Sequence, residues 1–590
     1  MNREVNVEKK IRRRALILGF SKSVFALLVC GKLFYLQILQ KSKYGKLSDS
    51  NRIKVKILLP ERGTIYDYFN KPIASNRIDY QLNIFKEKKG LINKYINTLK
   101  GHITFTDRDL VEIKENLDEQ DLSDFITIKK NLTWKELEFL EFMSSKFPFL
   151  IITKEKVRYY KNNTIFSHVL GYVGYKKNVS KKKLLNLKVG ISGIEKKLNK
   201  KLLGSDGWRK YETNSKGRIK KELNMKNSIP GQNIRTFLIS DVQKRAYKEM
   251  SGISGAIVMI DCKNGGVNCL MSSPSFDNNA FSDGVSRKKW NQLLGDEFNP
   301  LLNRCIAGLY SPGSTYKLIT ALHALENKNF NKEKNFFCSG HVAFGNRKFH
   351  CWKKEGHGNV NLFNAIKKSC DSYFYNLAKG LEIDKLSNFS NLFSYGDRTG
   401  IDIPNELKGI MPNKKWKMEN RGQRWHRGET LNAVIGQGFM LSTPLQIALM
   451  TARLASGKKI IPSIIYKERS FDNLNINENN LNFLRRSMFS VVNDSDGTAF
   501  RSKLSGRMKM AGKTGTSQVR RISLAEREDG VLKNEELSYK LRDHSVFTCY
   551  APYDDPRFAM SVIAEHMGSG SKVAAPIAKR IMEFALKSYI

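Results

Sequence analysis

Three short strings in the second half of this 590-residue chain constrain its fold more than anything else in it: Ser314-Thr315-Tyr316-Lys317, Ser369-Cys370-Asp371 and Lys513-Thr514-Gly515-Thr516. A fold that uses all three must bring segments far apart in the chain to one place. A serine hydroxyl is a poor nucleophile at neutral pH; it needs a proton acceptor within reach and donors for the oxyanion that develops. Ser314 and Lys317 meet the first need. They follow the turn residues Pro312 and Gly313 at the head of the apolar run Leu318 to Leu325, so both side chains share one face of a buried helix. Lys513 is preceded by Met510-Ala511-Gly512, and the small residues there let a substrate lie along a strand edge. S-x-x-K alone is common; the three strings in this order mark a serine acyl-transfer enzyme with lysine as its base.

Composition narrows the partners. The chain is 41% hydrophobic, ordinary for globular material, and long enough for two or three domains. Its net charge of +45 suggests nucleic acid or an anionic surface. Lysine is spread over the whole length, however, and mingles with asparagine in stretches such as Asn327 to Asn335, without an arginine-aromatic platform. That pattern is compositional bias and argues against nucleic acid, while membrane and cell-wall surfaces stay open as partners.

The amino terminus reads as an anchor. A basic tail, residues 1–14, ends in Arg12, Arg13 and Arg14 and precedes an apolar stretch, residues 15–39. That stretch is long enough to cross a hydrocarbon core of about 30 Å. The basic flank is expected in the cytoplasm. Lys22 and Lys32 lie toward the ends of the stretch, where they can snorkel. No small-x-small cleavage site follows, so the anchor is expected to stay, with everything after it on the far side.

Residues 40–235 are expected to form a non-catalytic support module of short strands and charged helical pieces. Arg62 to Asp67 reads as a turn-flanked strand, and Gly190 to Gly207 as a charged helix bracketed by glycines. Ser228-Ile229-Pro230-Gly231-Gln232 is a boundary signal before a strand, Asn233 to Ile239, and a helix from Asp241. In residues 236–590, Gly255 to Asp261 and Val267 to Ser272 flank an Asn264-Gly265 hairpin turn. A largely helical stretch, Asn279 to Met488, follows. Then come strands at Met508 to Ser517, His544 to Ala551 and Phe558 to His566, and an amphipathic helix, Ala574 to Tyr589. The expected class is α+β, an antiparallel sheet flanked by helices with a helical subdomain inserted, behind an elongated pedestal and one transmembrane helix.

With Tyr310-Ser311-Pro312-Gly313 leading into Ser314, Gly436-Gln437-Gly438, Lys513 to Thr516 and Asp543-His544-Ser545-Val546-Phe547, the chain resembles the class B penicillin-binding proteins. The likeness extends to the first half, through Arg62 to Asp67, His168 to Gly174 and Gly193-Ile194-Glu195, so it spans nearly the whole sequence. Asp371, the acidic third residue of the second string, and the run Ala551 to Pro576 favour the elongation branch over the division branch. The resemblance implies a peptidoglycan D,D-transpeptidase, anchored in the inner membrane with its catalytic domain in the periplasm, and covalently inhibited by β-lactams. Implied partners are stem peptides, a polytopic glycan polymerase and elongation scaffold proteins.

The resemblance also implies roles. Ser314 attacks the carbonyl between two terminal D-alanines, and Lys317 accepts its proton; burial and the nearby Lys513 are expected to lower the Lys317 pKa. Ser369 relays the proton to the leaving amine, and Lys513 sets the local potential. Thr514, Gly515 and Thr516 bind substrate, the two hydroxyls holding its carboxylate, while the N–H groups of Ser314 and Thr516 hold the oxyanion. Asp371 stands where many relatives carry asparagine; an ionised aspartate only accepts hydrogen bonds, so its expected task is to orient a lysine ammonium.

Cys338, Cys351, His357 and Cys370 form a second pattern, C-x12-C-x5-H-x12-C, with Cys370 inside the second catalytic string. Three thiolates and an imidazole match a closed tetrahedral structural zinc site. Some relatives hold a metal at nearly this spacing through aspartates, histidine and cysteine. Disulfides joining Cys338 to Cys351 or Cys351 to Cys370, free thiols, and His350 in place of His357 are the alternatives. No organic cofactor is expected. Rival functions are a D,D-carboxypeptidase or β-lactamase using the same serine and lysine, and a non-catalytic scaffold. Residues 40–235 show no paired-glutamate motif of a glycosyltransferase.

Overall fold

The computed structural model describes residues 2–44, 52–85, 90–106, 109, 110, 113, 125–175, 188–213, 219–520, 526 and 532–589. The chain divides into two compact units, Met1–Glu61 with Gly204–Gly231, and Arg62–Leu203 with Gln232–Ile590. The first contains a helix, Asn2–Phe34, extended by a π-helical turn, Tyr35–Leu39. It is long and apolar enough to cross a membrane. The same unit holds a three-stranded antiparallel sheet in the order Ile53–Leu58, Gly207–Thr213, Ile219–Lys226.

The second unit begins with a sheet built on one long strand, Pro72–Phe85, which pairs with Leu150–Tyr160 and Phe125–Lys129. Short strands were expected here. The strand runs on through Asp79, Gln81 and Asn83 because these buried polar side chains are hydrogen-bonded: Gln81 Nε2 donates across to Glu155 at 3.0 Å and along the strand to Asp79 at 3.2 Å, and Asn83 Nδ2 donates across to Thr153 at 2.7 Å. Leu82 and Ile84 belong to a separate core with Ile126, Ile128 and Leu140.

The expected helix across Gly190 to Gly207 is two short helices, Gly193–Lys197 and Asn199–Leu203. The first tucks against a neighbouring backbone. Gly193 has φ +57°, and a Cβ there would lie 2.5 Å from the carbonyl carbon of Leu170. This places Glu195 at full burial, where Arg62 Nε donates at 2.7 Å and Arg158 Nε at 2.6 Å. The expected strand Asn233 to Ile239 shrinks to Ile234–Arg235, because the residues after it bond to scattered partners: Thr236 N to Tyr66 O and Phe237 N to Ile464 O.

The catalytic half is a five-stranded antiparallel sheet in the order Val267–Ser273, Gly255–Asp261, Phe558–Ala564, His544–Ala551, Ala511–Ser517. Strands near both ends of this region therefore pair, with Gly255 opposite Ala564. Gly255–Asp261 and Phe558–Ala564 are buried at every residue, so both faces of the sheet are covered. Helices Pro444–Ser456 and Ala574–Tyr589 pack on it. The stretch from Asn279 to Met488 is mainly helical, with one departure. Residues 336–360 fold into two small antiparallel pairs, Phe336–Cys338 with Gly358–Val360 and His341–Phe344 with Arg347–His350.

Candidate active site and thiol cluster

The strand Ala511–Ser517 lies at the sheet's end and, among the described residues, pairs with a strand on one side only. Gln437 Nε2 donates to Thr516 O at 3.0 Å from the other side. In a strand the N–H and C=O of one residue point the same way, so the Thr516 N–H also faces outward. The nucleophile turn sits against this edge. A Cβ on Gly313, which has φ +54°, would lie 2.5 Å from Thr516 O, and one on Gly436 would lie 2.3 Å from Gly313 O. The glycines of Pro312-Gly313-Ser314 and Gly436-Gln437-Gly438 thus let three backbones meet.

Ser314 lies in a 3₁₀ turn, Gly313–Thr315, ahead of the buried helix Lys317–Leu325. Its side chain is half-exposed; that of Lys317 is fully buried. Lys317 Nζ donates to Asp371 Oδ1 at 2.6 Å, to Ser369 O at 2.9 Å and, at a longer 3.4 Å, to Ser369 Oγ. Ser314 is not among these partners. The direct serine-lysine bond expected from the spacing gives way to the ion pair, because a buried carboxylate competes better for an ammonium than a hydroxyl does.

Lys513 Nζ donates to Ser369 Oγ at 2.8 Å and to Thr514 O at 3.1 Å. Ser369 Oγ therefore stands between the two lysines. Burial, and then the Lys317 charge, hold the Lys513 ammonium well below the ordinary lysine value. Asp371 moves up from the usual carboxylate value because burial outweighs the neighbouring Lys317. Thr514 Oγ1 meets Thr498 Oγ1 at 2.8 Å, a partner the sequence did not suggest. Ser369 is held at φ +56°, unusual for a residue with a side chain, directly before the helix Asp371–Ala378.

The ligand atoms of Cys338, Cys351, His357 and Cys370 lie within 4.8 Å of one another. Cys351 Sγ is 3.5 Å and Cys338 Sγ 3.7 Å from His357 Nδ1. The hydrogen bond from Cys370 draws the Cys351 thiol down, and the same bond pushes Cys370 up. Burial lowers His357, yet its contacts with Cys351 and Cys338 outweigh this and raise it. No two of these sulfurs are joined in a disulfide, nor are those of Cys30, Cys262, Cys269, Cys305 and Cys549. His350 lies opposite His341 in its hairpin, outside the cluster. Three sulfurs and one nitrogen, converging and mostly buried, suit a soft tetrahedral ion.

Trp352, next to Cys351, was not singled out by the sequence. Its main-chain N–H donates to Asp371 Oδ2 at 2.9 Å and its indole N–H to Ser369 O at 3.1 Å. An aromatic residue between two candidate ligands was the only available signal.

A serine at a buried helix head, two buried lysines meeting on a second serine, and a K-T-G edge strand define a serine acyltransferase of the penicillin-recognising class. The profile of the penicillin binding protein transpeptidase domain matches residues 255–583, and that of the penicillin-binding protein dimerisation domain matches residues 57–236. The chain belongs to the penicillin-binding protein 2 family. It is 32% identical to the peptidoglycan D,D-transpeptidase MrdA of Acinetobacter baumannii, over 98% of this chain and 88% of that protein. Penicillin-binding protein 2 of Helicobacter pylori, solved in complex with MreC, superposes with a TM-score of 0.80 at 30% identity, covering 91% of this chain and 99% of that one. A chain from a peptidoglycan synthase complex that coordinates polymerization and crosslinking matches with a TM-score of 0.72 at 25% identity, covering 98% and 99%.

Proposed function

We infer that this chain is an elongation-type peptidoglycan D,D-transpeptidase that works through an acyl-enzyme on Ser314. The observation that carries this reading is the shared position of Ser369 Oγ, 3.4 Å from Lys317 Nζ and 2.8 Å from Lys513 Nζ, beside the edge strand Ala511–Ser517. Lys317 first passes a proton to the Asp371 carboxylate at 2.6 Å and, as the neutral amine, takes the Ser314 proton while Ser314 Oγ attacks the carbonyl carbon between the two terminal D-alanines and the C–O bond forms. The N–H groups of Ser314 and Thr516 stabilise the oxyanion, and the hydroxyls of Thr514 and Thr516 hold the terminal carboxylate. The tetrahedral species collapses with cleavage of the C–N bond. Ser369 passes the proton to the departing D-alanine amine. An amine of a second stem peptide then attacks the ester, releasing Ser314 and forming the cross-link. A β-lactam enters by the same first step and stays as a stable ester.

The anchor helix holds the enzyme at the membrane. The basic tail beside it supports a cytoplasmic amino terminus and a periplasmic catalytic domain. The likeness to proteins solved with MreC and in a peptidoglycan synthase complex supports a scaffold protein and a glycan polymerase as partners. Cys338, Cys351, His357 and Cys370 fit zinc, which when bound supplies a structural cross-link between the insertion and the loop bearing Ser369 and Asp371. Product analysis with a donor pentapeptide and an amine acceptor tests the activity. Cross-linked dimer is expected; free D-alanine with no dimer would instead mark a carboxypeptidase.

A further inference from the structure

Lys317 has two close acceptors, Ser369 O at 2.9 Å and Asp371 Oδ1 at 2.6 Å, and one residue from the insertion grips both groups. The main-chain N–H of Trp352 donates to the other oxygen of the Asp371 carboxylate at 2.9 Å, and its indole N–H donates to Ser369 O at 3.1 Å and to Lys368 O at 3.2 Å. Between them lies Ser369 at φ +56°, a backbone state that persists only where surroundings impose it. The ring itself is 59% exposed, so it contributes little apolar burial to the core. Its edge meets the His357 ring at 5.4 Å, tying the clamp to the thiol cluster.

We propose that Trp352 is a positioning residue for the acyl transfer: it fixes the carbonyl and the carboxylate that aim Lys317, and it connects them to the Cys338, Cys351, His357 and Cys370 cluster. The proposal rests on the reading of Ser314 as nucleophile and Lys317 as base. The indole N–H is the separable part of the clamp, since the main-chain donor survives any side-chain change. A lysine released from one acceptor samples other rotamers, which slows the chemical step and leaves ligand capture along the strand Ala511–Ser517 unaltered.

The test is acylation of the full-length, detergent-solubilised protein by a fluorescent penicillin, resolved into a limiting rate constant and a half-saturating concentration. Two variants are compared with wild type: Trp352→Phe, and the isosteric replacement of Trp352 by benzothienylalanine, which removes only the N–H donor. The limiting rate constant is expected to fall about tenfold in both. The half-saturating concentration, thermal midpoint and bound metal content stay unchanged. A benzothienylalanine protein that acylates within a factor of about two of wild type would overturn the proposal, as would a slower rate that tracks a lowered midpoint. If Phe unfolds the protein, the isostere decides alone. Ser314→Ala, labelled in parallel, separates the two levels: persistent labelling there refutes the underlying nucleophile assignment, whatever Trp352 does.

Discussion

Lys317 Nζ and Asp371 Oδ1 lie 2.6 Å apart, the lysine side chain fully buried and the carboxylate nearly so. A pair of opposite charges in such a place is stable only while both members remain. Truncating one leaves the other desolvated and unpaired, at a cost of about 3–5 kcal/mol. Asp371→Ala is therefore expected to lower the thermal midpoint by several degrees and to abolish penicillin acylation. Asp371→Asn keeps an acceptor for Lys317 and the shape of the site, so it should retain the fold and lose less activity. Equal loss in both variants would show that the charge itself matters more than the acceptor geometry.

Glu195 makes a second prediction, far from the chemistry. Burial pushes its carboxyl up, but Arg158 and Arg62 outweigh burial and hold it below its ordinary value of 4.5. A carboxylate depressed in the folded state contributes stability above its unfolded pKa. That contribution is lost as pH falls through the lower folded value. Thermal midpoints of wild type should therefore be steady above pH 5 or so and fall steeply below about pH 4. Glu195→Gln should be less stable at neutral pH by roughly 3–5 kcal/mol, with a shallower acid slope. Unchanged melting would mean that the arginine cluster contributes nothing to the fold.

Lys513 has the same pH slope as Glu195, in an alkaline window, but is a net cost at neutral pH. Its native pKa lies well below 10.5 because of burial and the Lys317 charge. The unfolded chain therefore binds an extra proton between that lowered value and 10.5, and this group costs stability in that window as pH falls. Lys513→Met should melt no lower than wild type at neutral pH and should flatten the alkaline rise in stability, while slowing acylation about a hundredfold or more. A variant that is both unfolded and inactive would contradict this separation.

For the thiol cluster, metal analysis of the purified protein should give about one zinc per chain, and Cys370→Ser or strong chelation should release it. Loss of the ion should lower the thermal midpoint and slow acylation, because Cys370 lies between Ser369 and Asp371. A metal-free preparation with Cys338 and Cys351 joined in a disulfide would reject the site.

Much of this arrangement was readable in the sequence, for identifiable reasons. The strand Gly255 to Asp261 is an apolar run that leads into the Asn264-Gly265 turn, His544 to Ala551 is rich in β-branched and aromatic residues, and the last helix keeps its bounds, Ala574–Tyr589, because its apolar spacing is regular. The three catalytic strings meet because each combines a functional side chain with the small residues its backbone needs. Other features were hidden. Pro72–Phe85 carries a period-2 signal only in its second half, where Ile78, Tyr80, Leu82 and Ile84 alternate with Asp79, Gln81 and Asn83; its first half, Pro72 to Arg77, has no such alternation, so the full length of the strand was not readable. The two strand pairs at 336–360 are too short for any pattern. The choice of Lys317 between Ser314 and Asp371 depends on distances in three dimensions, as does the grip of Trp352 on two groups of the second catalytic string.

The central claim is that Ser314 forms the ester, and mass spectrometry of the penicillin-treated protein tests it most directly. A single adduct of the mass of the opened β-lactam is predicted on the peptide bearing Ser314, absent from Ser314→Ala. An adduct on Ser369 or any other residue, or one that persists in Ser314→Ala, would contradict the account.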